Sequence, residues 1–146
     1  MILCDVNVLV NAAITAAEHH LVCLDALKAG VAAGEIFAAN ASIKVGMVRI
    51  CTHPRVFNPP MMTEQALSFL DHLDLAGRVV SIEPGVRHWP LFRQFVIDFR
   101  LSGAGIMDAW FAALAIEHEA DWWTCDGGFA KYPGLKLRHL LATSKR

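Results

Sequence analysis

Four side chains in this 146-residue sequence are of types that do metal or acid–base chemistry, and they stand where folding alone gives them little to do. Asp5 lies within an apolar run, residues 2–6, where a charge is costly unless it is paired or bound to a cation. Asn7 follows two residues later, so on an extended chain both side chains point to one face. Asp108 stands beside a glycine-containing loop and ahead of an alanine-rich stretch. Asp126 closes a second apolar run and precedes Gly127 and Gly128. Asp108 also reads as a helix N-cap, and Asp126 as a turn former.

If the strands ending at Asp5 and Asp126 are neighbours, the two acids meet at one edge of a sheet, and Asp108 closes a triangle. Carboxylates gathered this way repel one another and stay ionised when a divalent cation sits between them. All-oxygen ligands with retained waters suit Mg²⁺ or Mn²⁺. Such an ion activates water and stabilises charge on a phosphodiester during in-line displacement.

The elements that must position these residues alternate between short apolar runs and longer amphipathic ones. Strands are expected over residues 2–6, 35–39, 78–82, 122–125 and 135–139. Helices are expected over 19–33, from Asn40 or Ser42 to about 52, from 63 onward, over 87–99 and over 108–119. In the first helix Leu21, Leu24, Leu27 and Val31 form the inward face; in the third, Ala66, Leu67, Leu70 and Leu73 do. Residues 53–60, with three prolines, must be loop. This order implies a single α/β domain, 1–146: a three-layer α/β/α sandwich with a central, mostly parallel sheet. Sites in such sheets form at the carboxyl ends of the strands.

Bulk properties narrow the function classes. A formal net charge of −1 excludes a global basic field for nucleic acid, although Lys131, Lys136, Arg138, Lys145 and Arg146 leave the C-terminal stretch basic. The apolar fraction of 55% suits a sheet covered on both faces, or a partner interface. No apolar run reaches the ~20 residues of a membrane span, and the first residues lack the basic start of a secretory leader. Cys4, Cys23, Cys51 and Cys125 have no zinc-like spacing and read as reduced thiols of a cytoplasmic protein. Of the tryptophans that could stack bases (Trp110, Trp122 and Trp123), at least two belong in the core.

Taken together, three motifs resemble a known family. Asp5-Val6-Asn7-Val8-Leu9-Val10 is similar to the opening motif of PIN-domain nucleases. The stretch from Asp108 to Ala115 resembles their third acid on its helix, and Thr124-Cys125-Asp126-Gly127-Gly128-Phe129 their fourth acidic site. Residues 49–57 and 129–135 look like those of the VapC-type toxin group. The resemblance implies a Mg²⁺- or Mn²⁺-dependent endoribonuclease acting on structured RNA such as tRNA or rRNA. It also implies restraint by a cognate antitoxin, and a homodimer. The implied metal and catalytic residues are Asp5, Asp108 and Asp126, with Asn7 as polar helper; Arg49 and Lys131 are candidate contacts to substrate phosphate.

There is one departure from the family pattern. The second acid, usually a glutamate, falls on Gly46, which has no side chain to offer. Lys44 cannot replace it, because an ammonium does not bind a cation, and Glu35 lies at the wrong end of its strand. Three carboxylates leave a one-metal enzyme, or else a weakened module that binds RNA or an antitoxin without cutting. A haloacid-dehalogenase-type phosphatase would want Asp-x-Asp where the chain has Asp5-x-Asn7. A receiver domain would want an acidic pair and a late lysine, which are missing.

Overall fold

A computed structural model describes residues 1–142; Lys145 and Arg146 of the basic stretch lie outside the described residues. Five strands form one sheet: β1 (Ile2–Cys4), β2 (Ile36–Ala39), β3 (Arg78–Ser81), β4 (Asp121–Thr124) and β5 (Lys136–His139), in the order β3-β2-β1-β4-β5. Every pairing is parallel, with Leu3 opposite Ala38 on one side and Trp122 on the other. The chain builds outward from β1 in one direction through β2 and β3, then returns to the other side with β4 and β5. The crevice at the carboxyl ends of β1 and β4 is therefore the switch point at which ligands bind in open parallel sheets.

The helices are α1 (Val6–Ala13), α2 (His20–Ala32), α3 (Ala41–Cys51), α4 (Thr63–Ala76), α5 (His88–Asp98) and α6 (Ala104–Glu117). Helix α1 packs on α2 and α3, α3 on α4, and α5 on α6. The two buried tryptophans of β4 show why there are three layers. Adjacent strand residues point to opposite faces. Trp122 stacks on Phe111 of α6 and tilts against Phe129. Trp123 meets Phe37 edge-on and lies close to Gly30 of α2. Helices thus cover both faces, and Leu3, Val8 and Trp122 are fully enclosed between them.

Gly30 lets α2 approach the sheet. A β-carbon there would come within 2.8 Å of the Phe37 ring, itself buried. Gly30→Ala is expected to cost about 1–3 kcal/mol through overpacking, despite alanine's higher helix propensity. Chemical denaturation measures it, and an unchanged midpoint would contradict the packing argument.

Three sequence expectations need correction. Residues 6–13 form a helix, although the strand was expected to run through Val6 and Asn7 to lie on an extended chain. Its carbonyl acceptors start at Asp5, with Val8 N–H donating to Asp5 O at 3.0 Å. Leu21 is 69% exposed, and Leu67 is exposed too, so neither belongs to its helix's inward face; Cys23 and Gly30 take buried places on α2 instead. Helix α6 begins four residues before Asp108, after Gly103 turns the chain at φ 57°. Asp108 is therefore inside the helix and is not its N-cap. Asn40 does cap α3, accepting from Ser42 N–H at 2.9 Å.

Candidate functional site

The carboxyl ends of β1 and β4 lie side by side, and Asp5 N–H donates to Trp123 O at 2.8 Å across the pair. Asp5 leaves β1 at the mouth of this crevice and starts α1, whose N–H groups favour a negative charge there. The residue is only 7% exposed. Oδ2 accepts from Thr124 Oγ1–H at 2.6 Å and from Asn7 Nδ2–H at 2.8 Å.

Asn7 therefore faces Asp5, but through the first turn of a helix and not along an extended chain. Its amide ties three segments together. Nδ2 donates to Asp5 and to Thr124 Oγ1 at 3.1 Å, and Oδ1 accepts from Cys125 N–H at 3.0 Å. Thr124, fully buried, also accepts from Asp126 N–H at 3.0 Å. Sequence reasoning assigned Thr124 no role; its place two residues before a site acid, at the end of a parallel strand, was the available signal.

Asp126 is exposed and accepts from Gly128 N–H at 2.7 Å, capping the short 3₁₀ turn Gly127–Lys131. It is thus a turn former, at the same sheet edge as Asp5. Asp108, half-buried on α6, lies in the field of both other acids: it raises the Asp5 pKa, and Asp126 raises its own. Burial is the largest influence on each. It pushes the Asp5 carboxyl up to about 6, against the hydrogen bond from Thr124 and the backbone N–H groups of Val6 and Asn7. Burial and then Asp126 raise Asp108, while the Lys131 ammonium lowers it.

Tyr132 closes the back of the site. Its ring packs on Phe95, Phe99 and Phe129, and its hydroxyl is buried without a hydrogen-bond partner. Burial first, then Asp108 and Asp126, push that phenol up to about 12. A hydroxyl beside two carboxylates with nothing to bond suits a site whose polar contents include water.

The donor set fits a hard divalent cation. It is all oxygen, and none of the three acids forms an ion pair among the described residues. No three acid, histidine or cysteine side chains among the described residues approach closely enough to hold an ion together as direct ligands. An ion here would rest on one or two carboxylates and keep its own waters, a mode that Mg²⁺ tolerates.

Gly46 lies on α3, against α1. A β-carbon on it would point at Val6, 3.1 Å from Cγ2, directly beside Asp5. Arg49, in the last turn of α3, is exposed and unconnected to the acids. Lys131 is exposed beside Asp108, its Nζ 5.2 Å from the Tyr132 ring centroid. Lys44 pairs with Asp74 at 2.6 Å, and Glu35 precedes β2 at the opposite end of the sheet, so neither joins the site.

Residues 2–135 match the PIN domain family. A curated relative, VapC ribonuclease Mb2897 of Mycobacterium bovis, is 36% identical over 97% of this chain and 96% of its own. Ribonuclease VapC25 of Mycobacterium tuberculosis is 28% identical over 96% of this chain and 97% of its own. Among solved structures, VapBC2 from Rickettsia felis, bound to a DNA fragment from its promoter, superimposes with a TM-score of 0.67 at 19% identity. That match covers 94% of this chain and 98% of the other, and it shows a shared fold.

Proposed function

The chain belongs to the PIN domain family, and on that footing we propose that it is a metal-dependent endoribonuclease, the toxin half of a toxin–antitoxin pair, cutting structured RNA such as tRNA or rRNA. What supports this reading is the position of Asp5 and Asp126 at the carboxyl ends of the neighbouring strands β1 and β4, with the charge of Asp108 felt at Asp5 and that of Asp126 felt at Asp108. Relatives named as VapC ribonucleases, aligned over nearly the whole chain, support the substrate class.

Among Asp5, Asp108 and Asp126, one or two carboxylates would bind Mg²⁺ or Mn²⁺ directly and the rest through its waters; the ion supplies an activated water and charge stabilisation at the scissile phosphate. Asn7 and Thr124 keep the Asp5 carboxylate in one orientation by donating to the same oxygen. The bond from Cys125 N–H to Asn7 locks that pair to the strand that delivers Asp126. Lys131 and Arg49 draw the RNA backbone in by charge.

Lys131→Ala is expected to raise KM about 3- to 10-fold while changing kcat little, the mark of a phosphate contact made equally in ground and transition states. A fall in kcat with KM unchanged would assign Lys131 to the chemistry instead.

An antitoxin is the expected partner. The apolar groove between α2 and α4, about 390 Å³ and lined by Leu24, Leu27, Val31, Phe69 and Leu73, suits an amphipathic segment. A homodimer and a cytoplasmic setting complete the proposal; no helix among the described residues is long and apolar enough to cross a membrane.

The test is incubation with total bacterial RNA in Mg²⁺ or Mn²⁺, with EDTA and Asp108→Asn as controls, and mapping of the new ends. Discrete cuts lost in both controls are expected. Tight RNA binding without cuts, in folded antitoxin-free protein, would favour the alternative that Gly46 motivates, a module that binds without cleaving.

A further inference from the structure

Cys125 sits between Thr124 and Asp126, yet its thiol takes no part in the acid network. Its Sγ lies 3.4 Å from Sγ of Cys23 on α2. The backbone around it is tied from both sides: its N–H donates to Asn7 Oδ1 at 3.0 Å, and its carbonyl accepts from His139 Nε2 at 3.0 Å. Cys125 is half-buried, Cys23 wholly so, and both are free thiols. Cys4 and Cys51 are buried, and no other pair of sulfurs comes within hydrogen-bonding range.

We infer that Cys125 and Cys23 form a modification site, a dithiol that a peroxide oxidises to an internal disulfide and thereby disarms the acid centre. Cys125 is the residue of the pair that retains surface, so a small oxidant reaches it before Cys23. It attacks one peroxide oxygen; the O–O bond breaks, the sulfenic acid forms, and the thiol proton leaves with the second oxygen as water. Cys23 then attacks the sulfenic sulfur. The S–S bond forms, the S–O bond breaks, and a second water departs with the Cys23 proton. Two thiols lose two electrons, and hydrogen peroxide gains them.

The link to the centre is geometric. The sulfurs must close from 3.4 Å to the roughly 2.05 Å of a disulfide. Helix α2 packs on α1, which carries Asn7, while Cys125 is bonded between the two residues that meet Asp5 and cap the Asp126 turn. Drawing α2 and the β4 terminus together shifts Asn7, Thr124 and Asp126 relative to Asp5. A displacement of about 1 Å in such a constellation is worth about 100-fold in rate.

The effect on cleavage rests on the proposed nuclease reading, whereas the cross-link does not, so the experiment reads both. The whole protein is treated with hydrogen peroxide, free thiols are alkylated, and peptides are mapped. The expected result is loss of two hydrogens and a single Cys23–Cys125 cross-link. RNA cleavage should fall about 100-fold and return on addition of dithiothreitol. Cys23→Ala or Cys23→Ser should cut RNA normally before oxidation and form no cross-link; after oxidant and dithiothreitol it should again match the wild type. Four alkylated thiols after peroxide would overturn the site. A complete Cys23–Cys125 disulfide with unchanged cleavage would overturn its control of the centre. A cross-link in protein that never cuts RNA would count against the nuclease reading alone.

Discussion

Asp5→Asn is expected to lower RNA cleavage by about 10³-fold or more and, in EDTA, to make the protein more stable. Loss of charge stabilisation aimed at a transition state costs on this scale. The stability gain follows from burial. A carboxyl held at about 6 in the folded protein, against a usual 3.8, is ionised at neutral pH at a cost of about 3 kcal/mol. An amide of the same shape carries no charge to desolvate, and its oxygen still accepts from Thr124 and Asn7. It gives up the favourable placement of a negative charge at the start of α1, so the net gain should be about 1–2 kcal/mol. Denaturant unfolding near pH 8 measures it. A variant both inactive and destabilised would show that Asp5 is a structural residue, and the functional reading of the site would fail with it.

The same pKa sets how a cation should act. Because the folded value is raised, stability contributed by Asp5 is full at low pH. It falls as pH rises from about 4, where the unfolded chain begins to ionise, to about 6, and stays low above that. A divalent cation that binds the ionised carboxylates removes this penalty and competes with protons below it. Mg²⁺ or Mn²⁺ at about a hundredfold excess over Kd is expected to stabilise by about 3 kcal/mol near pH 8. For a chain of this size that is a rise in Tm of roughly 6–12 °C. Near pH 4.5 the rise should shrink toward zero, and in Asp108→Asn it should be small at either pH. An equal rise at both pH values would place the cation elsewhere.

Much of this site was legible in the sequence because its strands are short and end in acids. Asp5 and Asp126 stand at the carboxyl ends of two apolar runs, and β1 and β4 are indeed neighbours. Every strand falls within two residues of its expected span. The sandwich followed from strands alternating with amphipathic helices. What the sequence hid was local conformation decided by tertiary packing. Residues 6–13, Val-Asn-Val-Leu-Val-Asn-Ala-Ala, carry three β-branched valines, and no helix was expected there. They form a helix because Val8, Leu9, Val10 and Ala12 are buried against neighbouring elements, which outweighs a weak propensity.

The expected pairing of Asp5 with Asn7 is present, but helical in origin. Asp108 looked like a cap because a glycine pair precedes it; the helix begins earlier, where Gly103 supplies a positive φ that other residues rarely adopt. Thr124 carried only the signal of its place before Asp126, and Tyr132 none that one sequence shows. A buried threonine and an orphaned phenol acquire meaning only when their partners' positions are known. Arg49 remains a reading from charge alone, since the fold leaves it apart from the acids.

The central claim is that three aspartates on β1, α6 and the turn after β4 act as one centre, and a double-variant cycle tests it most directly. Single-turnover cleavage of one mapped RNA would be measured for Asp108→Asn, Asp126→Asn and the two combined, each confirmed as folded. Groups that act as a unit are strongly non-additive. Each single change should cost about 10³-fold, and the pair little more than the worse of the two. Losses that multiply, or a single variant that still cuts at the wild-type sites and rate, would contradict a shared centre.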